Sequence, residues 1–274
     1  MGKRLPIVGI GARNLPASVR FYTEAMGLDV EQQYPPTEGI VMLTDHRRIR
    51  LAIEPRNDGR TSVGGPIPTI ANLGMANLTF HAPALDPVLA AVEAAGGRIL
   101  WETRVSLGAD REGIFVADPD GLPIELITGV EKLAFIHVVS CVSDLERSAE
   151  ILTRLGYAPV RDIDIPNPIE PISKFVRLAD ARLRGRVFAH EDGGEIEFIE
   201  MLHPKAAGRA GVGPGDTDPG LLYIAIDVGD IDAATATLQA IGLKGMRGTD
   251  PVTGRSAWLG MDFDSTRLKC LGDG

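Results

Sequence analysis

The chain has 274 residues, of which 44% are hydrophobic, 24% are charged and 5% are aromatic, and its formal net charge is -9. This composition is typical of a folded globular protein and excludes a disordered, collagen-like or coiled-coil chain. The 37 acidic and 28 basic residues also argue against a nucleic-acid surface, which needs concentrated Lys and Arg. At roughly 100–200 residues per domain, we expect two domains and a small-molecule ligand.

The sequence also predicts neither a membrane-spanning segment nor a set of structural disulfide bonds. No apolar run approaches the roughly 18–20 residues that cross a bilayer, and the N-terminal sequence has no signal-peptide core. Only two cysteines occur, Cys141 and Cys270, and their wide separation predicts reduced thiols rather than a disulfide framework or a Cys-rich zinc site. These features predict a cytoplasmic protein that does not act on membranes.

The first predicted unit, residues 7–28, recurs at residues 137–157 with an offset of about 130 positions. Each copy reads as a strand of alternating apolar residues, a polar cap, an amphipathic helix and a glycine. Gly27 and Gly156 stand where a left-handed residue ends each helix. The two halves of the chain are therefore predicted to be duplicates.

Two further strand–helix starts follow at Asn77 and Tyr223, and short β-rich runs, including KFVRLAD at 174–180, come after each helix. Each unit reads as β-α-β-β-β, and helices that return between antiparallel strands favour an α+β fold. We expect the modules to pair within each half into two curved-sheet cups, a first domain at 1–130 and a second at 133–274. The predicted modules are residues 5–60, 74–130, 133–203 and 220–274.

Two long Gly/Pro-rich connections lie between the modules of each half, at residues 55–74 and 203–220. Loops of this length are commonly lids or flexible tethers, and both interpretations stay open.

The chain resembles the vicinal oxygen chelate superfamily, the group of glyoxalases, bleomycin-resistance proteins and extradiol dioxygenases. The resemblance rests on HVVSCVSDLERS from His137, its weaker copy in residues 7–28, and the strand ends DPDGLPIEL from Asp118 and GGEIEFIE from Gly193. It implies the four-module, two-cup fold. The family includes isomerases, lyases, dioxygenases, thiol transferases and metal-free drug-binding proteins, so the fold does not determine the reaction.

In this family, paired modules hold a divalent metal through residues at the start of the first strand and near the end of the last strand. At the matching positions of the first predicted domain, Ile7 and Leu51 have no lone pair to donate. The remaining two, Asn77 and Glu125, are too few for a dedicated transition-metal site. The resemblance therefore implies a metal-free first cup, with Asn77 and Glu125 lining a secondary pocket.

The matching positions of the second predicted domain are His137, Glu197, Tyr223 and Lys269. His137 and Glu197 are metal-ligand types, so a divalent Fe, Mn, Zn or Ni ion held by them stays open. A protonated Lys269 cannot ligate and would repel such an ion, so we expect no cofactor. Without metal, His137 or Glu197 can take up a proton while Lys269 and Tyr223 stabilise an enolate or phenolate. A polar network without activity is the other interpretation.

These residues and the resemblance predict an enzyme with lyase- or isomerase-type acid–base chemistry on a small oxygenated organic substrate. Extradiol dioxygenases have a similar tandem architecture but need a 2-His-1-carboxylate Fe(II) site, which Tyr223 and Lys269 do not supply. A ring-cleaving dioxygenase and a metal-free small-molecule binding protein of the bleomycin-resistance type stay as alternatives. A homodimer also stays open, because the sequence does not say whether the cups close within one chain or between subunits.

Overall fold

Each module of the protein begins with a strand that leads into a helix and then returns as antiparallel strands. In the computed structural model this pattern occurs four times, which confirms the predicted α+β fold. The structure describes residues 5–33, 39–56, 70–101, 104–108, 110–208, 220–264 and 266–273. Most of both Gly/Pro-rich connections, residues 57–69 and 209–219, therefore lies outside the described residues.

The first half contains modules 1 and 2. Helix α1 begins after Asn14, whose side chain accepts a hydrogen bond from the backbone amide of Ala17. It continues as one π-helical turn, Phe21–Ala25, and Gly27 follows with the predicted left-handed conformation (φ 69°). Module 1 consists of β1 (Ile7–Ala12), α1 (Leu15–Arg20), β2 (Asp29–Gln33), β3 (Val41–Thr44) and β4 (Arg50–Pro55); module 2 consists of β5 (Gly74–Ala82), α2 (Leu85–Ala94), β6 (Arg98–Ile99), β7 (Val105–Gly108), β8 (Arg111–Ala117) and β9 (Pro123–Thr128).

The second half contains modules 3 and 4. Asp144 and Asp230 cap their helices by accepting hydrogen bonds from backbone amides of the first turn. Gly156 has the predicted left-handed conformation (φ 90°) after the first of these helices. Module 3 consists of β10 (Ala134–Cys141), α3 (Leu145–Arg154), β11 (Ala158–Ile165), α4 (Glu170–Val176), β12 (Arg182–Ala189) and β13 (Glu195–His203); module 4 consists of β14 (Gly220–Asp230), α5 (Ile231–Ala240), β15 (Gly245–Thr249), β16 (Ser256–Met261) and β17 (Arg267–Asp273).

Helix α4 departs from the repeat, since it covers part of the segment for which the sequence predicts a strand, KFVRLAD. That prediction was wrong. Pro171 stands in the first turn, where its missing N–H is tolerated, and Arg177 ends the helix in the left-handed conformation. The side chain of Lys174 pairs with Glu170 one turn earlier. The apolar Phe175 is buried because it faces a neighbouring module rather than a sheet of its own.

Each of the two sheets joins a module of the first half to a module of the second. Strand β1 pairs antiparallel with β14, and β5 pairs antiparallel with β10. The cups are therefore formed by modules 1 and 4 and by modules 2 and 3, whereas the sequence analysis expected pairing within each half. The strand orders are β15-β16-β17-β14-β1-β4-β3-β2 in the first sheet, called the β1/β14 sheet, and β11-β12-β13-β10-β5-β9-β8-β6 in the second, called the β5/β10 sheet.

This pairing follows from the free edges of the modules. In every module the first strand is bordered by that module's last strand, in parallel, so one edge of the first strand is left for another module. A single hydrophobic core then includes residues of all four modules, among them Val8, Phe80, Val138 and Ile224. Within the described residues, no helix is both long and apolar enough to cross a membrane.

Candidate active site

Four residues that the sequence assigned to two different cups meet in the β5/β10 sheet. Thr79 of β5 pairs with His137 on one side and with Glu125 on the other. Val139 of β10 pairs with Asn77 on one side and with Glu197 on the other. Alternate residues of a strand share a face, so these side chains project into the same cup. The predicted catalytic pair His137 and Glu197 thus joins the predicted secondary pocket, Asn77 and Glu125.

The predicted grouping of His137 and Glu197 with Tyr223 and Lys269 is not present. Tyr223 lies on β14 and Lys269 on β17, both in the β1/β14 sheet. The physical reason is the pairing of β14 with β1 rather than with β10. Tyr223 and Lys269 therefore lie outside the β5/β10 cup.

A buried histidine–glutamate pair lies at the centre of the β5/β10 cup. The Nε2 atom of His137 is 2.6 Å from a carboxylate oxygen of Glu197, and Nδ1 is 3.9 Å from Glu195. His137 and Glu197 are only 3% and 6% exposed. Burial alone would lower the pKa of His137, but the charge of Glu197, with help from Glu195, outweighs it and raises the pKa to about 9. The imidazole is therefore held in its charged form at neutral pH.

The two carboxyl groups of the cup have pKa values displaced in opposite directions. Burial raises the pKa of Glu125, and the charge of Glu197 adds to this effect. Burial would also raise the pKa of Glu197, but the adjacent charge of His137 outweighs burial and places it below its ordinary value. The hydroxyl of Thr79 lies 2.6 Å from Glu125 and donates to it, while the amide of Asn77 donates weakly to Thr79 at 3.3 Å. The surroundings of the two carboxyl groups thus differ, with the pKa of Glu125 raised and that of Glu197 lowered.

The donor set of this cup fits a divalent cation in kind. It offers an imidazole, two carboxylates and an amide oxygen, which are ligand types for Mn, Fe, Zn and Ni. Neither ring nitrogen of His137 makes a well-directed hydrogen bond within the described part of the chain, although a carboxylate oxygen is close. Among the described residues, no three His, Cys, Asp or Glu side chains converge closely enough to hold a metal ion. The ligand types for a divalent cation are therefore present. In the described structure, however, His137 and Glu197 contact each other directly instead of converging with a third ligand.

A cavity of about 310 Å³ opens above these side chains. Its walls are mostly apolar, and helix α4 of module 3 contributes Ile172, Phe175 and Val176. The ring of Phe175 packs on Phe115 of module 2, with their centroids 4.9 Å apart. The cavity is therefore enclosed by both modules. The remaining apolar residues of its wall are Ile70, Leu107, Ile127, Val139, Ile163, Ile165, Leu183 and Ile199.

Three basic side chains that the sequence analysis did not select also line the cavity: His81, Arg111 and Arg161. His81 is two residues beyond Thr79 on β5 and so shares its face. That alternation was a usable signal for His81. The two arginines come from β8 and β11, strands on opposite sides of the sheet, and a single sequence gives no indication that they converge.

Comparison with known families agrees with this architecture. A model of the Glyoxalase/Bleomycin resistance protein/Dioxygenase superfamily matches residues 4–126, and a second model of the same superfamily matches residues 136–258. The chain belongs to this superfamily. No curated protein matches its sequence.

Solved structures with this superfamily fold include glyoxalase I from Zea mays, with a TM-score of 0.72 and 18% identity over 99% of this chain and 92% of that one. A Bacillus subtilis protein provisionally named a dioxygenase gives a TM-score of 0.59 and 13% identity over 100% and 85% of the two chains. The CppA protein from Streptococcus pneumoniae gives 0.50 and 12% over 99% and 98%. At these identities the similarity shows the fold alone.

The other superfamily cup, in the β1/β14 sheet, has different residues at the equivalent ladder positions. Ile7, Ala52, Tyr223 and Lys269 replace His137, Glu197, Asn77 and Glu125, respectively. Leu51, which the sequence analysis aligned with the ligand position, points into the core on the opposite face.

Contacts of the β1/β14 cup are those of a packed interior. The Lys269 ammonium pairs with the buried Asp250 at 2.8 Å and lies 3.4 Å from the centre of the Tyr223 ring. The Tyr223 hydroxyl is buried and has no hydrogen-bond partner among the described residues. The ring lies directly on Gly9, where any Cβ atom would overlap it. An aromatic ring and an ion-paired lysine therefore stand where the β5/β10 cup has Asn77 and Glu125.

Proposed function

We propose that the β5/β10 cup is the active site of an enzyme that moves a proton on a small oxygenated substrate, in a lyase- or isomerase-type reaction. One observation carries this proposal: Glu125 and Glu197 face one cavity with pKa values displaced in opposite directions, beside the charged His137. Environments that separate the pKa values of two nearby groups are typical of acid–base pairs in enzymes.

Each side chain has a defined role in such a reaction. Glu197, ionised, accepts the proton from a carbon next to a substrate carbonyl, and the electron pair of that C–H bond moves onto the carbonyl oxygen. The positive charge of His137 stabilises the resulting enolate oxygen in a mostly apolar, poorly solvated cavity. Glu125, the carboxyl group whose pKa is raised, is the proton donor that protonates the enolate and completes the transfer.

A divalent cation is compatible with the same cup. Asn77, Glu125, His137 and Glu197 supply the ligand types, although the described side chains do not converge on one point, and a bound cation would supply Lewis acidity toward a substrate oxygen. The repulsion from Lys269 that the sequence predicted does not operate here, because Lys269 belongs to the β1/β14 sheet. Metal analysis of the purified protein, followed by addition of Mn, Fe, Zn or Ni, measures whether a metal is bound and needed.

The proposed function is tested by deuterium exchange into enolisable aldehydes, ketones and oxo acids, followed by NMR in D₂O. We expect Glu197→Gln to lower the exchange rate about 100-fold or more, because the base is lost. Glu125→Gln should lower it as well, since the amide cannot deliver a proton. Unchanged exchange in both variants contradicts the proposed roles.

The matched control lies in the other cup. Tyr223→Phe removes a buried hydroxyl that has no hydrogen-bond partner in the described residues, so folding should be retained. Because Tyr223 is outside the β5/β10 cup, we expect exchange at the wild-type rate. A large loss of exchange in this variant would favour the grouping that the sequence alone predicted.

A metal-free binding protein is the second candidate function. The largely apolar wall favours it, because such a wall can retain a ligand without chemistry. Tight binding of a small molecule without exchange or turnover, with and without added divalent metal, would support this alternative.

A further inference from the structure

The cavity above the proposed active site is lined by two arginines, Arg111 and Arg161, to which the proton transfer assigns no role. We infer that the substrate of this cup is a small monocarboxylate with an apolar body, whose carboxylate binds between Arg111 and Arg161 beside His81. This inference rests on the proposed active site, since it assigns the substrate class of the same cavity.

Arg111 is held in place without its charge being neutralised. Its Nε atom donates to the backbone carbonyl of Thr128 at 3.2 Å, and Nη2 lies 3.4 Å from Nε2 of His81. The side chain also packs over Gly129, where a Cβ atom would contact its Nε at 3.3 Å. Within the described part of the chain, no Asp or Glu oxygen lies at ion-pair distance from this guanidinium. A fixed guanidinium without an anionic partner is suited to a ligand carboxylate.

Arg161 approaches from the opposite wall. It lies on β11 and pairs with Val187, which in turn pairs with Glu197, so its side chain shares the face of the cup. It too has no carboxylate at ion-pair distance among the residues that the structure describes. The next residue on β11, Asp162, lies on the other face of the sheet, where its carboxylate pairs with Arg186.

The surroundings of His81 show that positive charge dominates around this side chain. Burial, together with the charges of Arg111, His137 and Arg161, lowers the pKa of His81 to about 4. His81 is therefore neutral at physiological pH and can donate or accept a hydrogen bond beside the two guanidinium groups. Of the acidic groups of the cavity, Glu125 stands level with Thr79, two residues from His81. Glu197 stands level with Asn77 and with Arg161, so the side chain of Arg161 extends along the cup toward His81.

The distance between His81 and the proton-transfer residues sets the shape of the ligand. His81 is two strand residues from Thr79, or about 7 Å along β5, and Thr79 pairs with His137. The carboxylate and the reacting carbon of the substrate are thus separated by about 7 Å, with an apolar segment between Phe115, Ile127 and Phe175. A large polar ligand would leave its hydrogen-bonding groups unpaired against this wall.

The test compares carboxylates with their uncharged amides in calorimetric titrations of the whole protein. The probes are benzoate, phenylacetate, 3-phenylpropanoate and 4-methylpentanoate, each beside its primary amide. We expect at least one carboxylate to bind about 10-fold or more tightly than its amide. Arg111→Gln and Arg161→Gln should each remove this preference and leave amide binding within about twofold, whereas Phe175→Ala should weaken both partners of each pair.

Arg154→Gln is the matched control, because Arg154 is exposed on α3 and pairs with Glu150 away from the cavity. It should leave both affinities unchanged. Equal affinity of carboxylates and amides, equal effects of the arginine variants on both, or no binding by any probe would overturn the inference.

The result that would contradict the proposed acid–base function differs from the result that would contradict the carboxylate subsite. If carboxylates bind through the two arginines but no enolisable carboxylate exchanges its protons, the subsite stands and the acid–base role falls. If exchange occurs only on neutral substrates and is insensitive to Arg111→Gln, the acid–base role stands and the anion subsite falls.

Discussion

His137 shows how two opposing effects determine one protonation state. Burial in a cup of β-strands disfavours the imidazolium, whereas a glutamate oxygen 2.6 Å away favours it. The charge effect is larger, and it places the pKa at about 9. A charged histidine thus persists inside the protein because Glu197 is buried with it.

This arrangement predicts a pH dependence of stability. The folded pKa of His137, about 9, exceeds the unfolded value of about 6.5, so its contribution is complete below pH 6.5 and is lost as pH rises through 9. The shift corresponds to about 3 kcal/mol of unfolding free energy. Urea denaturation at pH 6 and pH 9 measures the loss.

His137→Gln isolates this contribution from other titrating groups. The variant should be less stable than wild type at pH 6, because Glu197 loses its partner, and the difference should shrink toward pH 9. A difference between the two proteins that is constant over this range would show that His137 is not charged in the folded state.

At the scale of residues, the structure brings together some of the predicted site residues and separates others. His137, Glu197, Asn77 and Glu125 were identifiable because their strand positions match those of a known family. Tyr223 and Lys269 occupy equally matching positions, so their separation from His137 depends on strand pairing and not on residue type. Arg111 and Arg161 had no such signal, because they reach the cavity only through the curvature of the sheet.

Among the elements, α4 has the most direct effect on the cavity. It lies between two strands of module 3 and places Phe175 against Gly113 and Phe115 of module 2. A Cβ atom on Gly113 would lie 2.6 Å from the Phe175 ring. The glycine therefore permits the close approach of helix and strand.

We predict that Gly113→Ala displaces the Phe175 ring and lowers stability by about 1–3 kcal/mol, as overpacking usually does. Phe175→Leu removes the ring atoms that the new methyl group would meet. In that background Gly113→Ala should cost at least 1 kcal/mol less, which a double-mutant cycle by urea denaturation measures.

Gly248→Ala provides the control for replacing a strand glycine. A Cβ atom at Gly248 would meet only Leu259, at an ordinary distance of 3.8 Å. This variant should be close to wild type in stability. If Gly113→Ala costs no more than Gly248→Ala, then Phe175 does not occupy the position described.

The segment of α4 also shows where strand prediction fails. KFVRLAD is a short run that contains an aromatic and a β-branched residue, Phe175 and Val176, and so reads as a strand. Pro171 and the Glu170–Lys174 pair favour a helix, but both signals precede the apolar residues. The outcome was decided by packing against module 2, which a local pattern does not contain.

In the whole molecule, the main difference from the sequence analysis is the partner of each module. Four modules and their order followed from hydrophobic periodicity and the repeat. Their pairing did not, because β1, β5, β10 and β14 each expose a similar antiparallel edge, and pairing within or across halves satisfies the backbone equally well.

Pairing across the halves predicts that neither half folds alone. Fragments 1–130 and 131–274 should be poorly folded when produced separately, since β1 lacks β14 and β5 lacks β10. Coexpressed, they should associate one to one and recover the circular dichroism spectrum of the intact chain. Size-exclusion chromatography and cooperative thermal unfolding measure both results.

Two cooperatively folded monomeric fragments would contradict this prediction and support cups closed within each half. A fragment that forms its own dimer would show that equivalent module edges can substitute for one another. Both sheets of the intact protein close within one chain, and its assembly into a homodimer stays a prediction.

The contact between Tyr223 and Gly9 has a consequence for stoichiometry. Two equivalent cups arose from the repeat, but in one of them the chain provides its own aromatic occupant, seated on a residue without a side chain. The ring of Tyr223 thus fills the space that a ligand would need in the β1/β14 cup. If the β5/β10 cup binds a ligand as proposed, we expect one ligand per chain and a binding curve without cooperativity between cups.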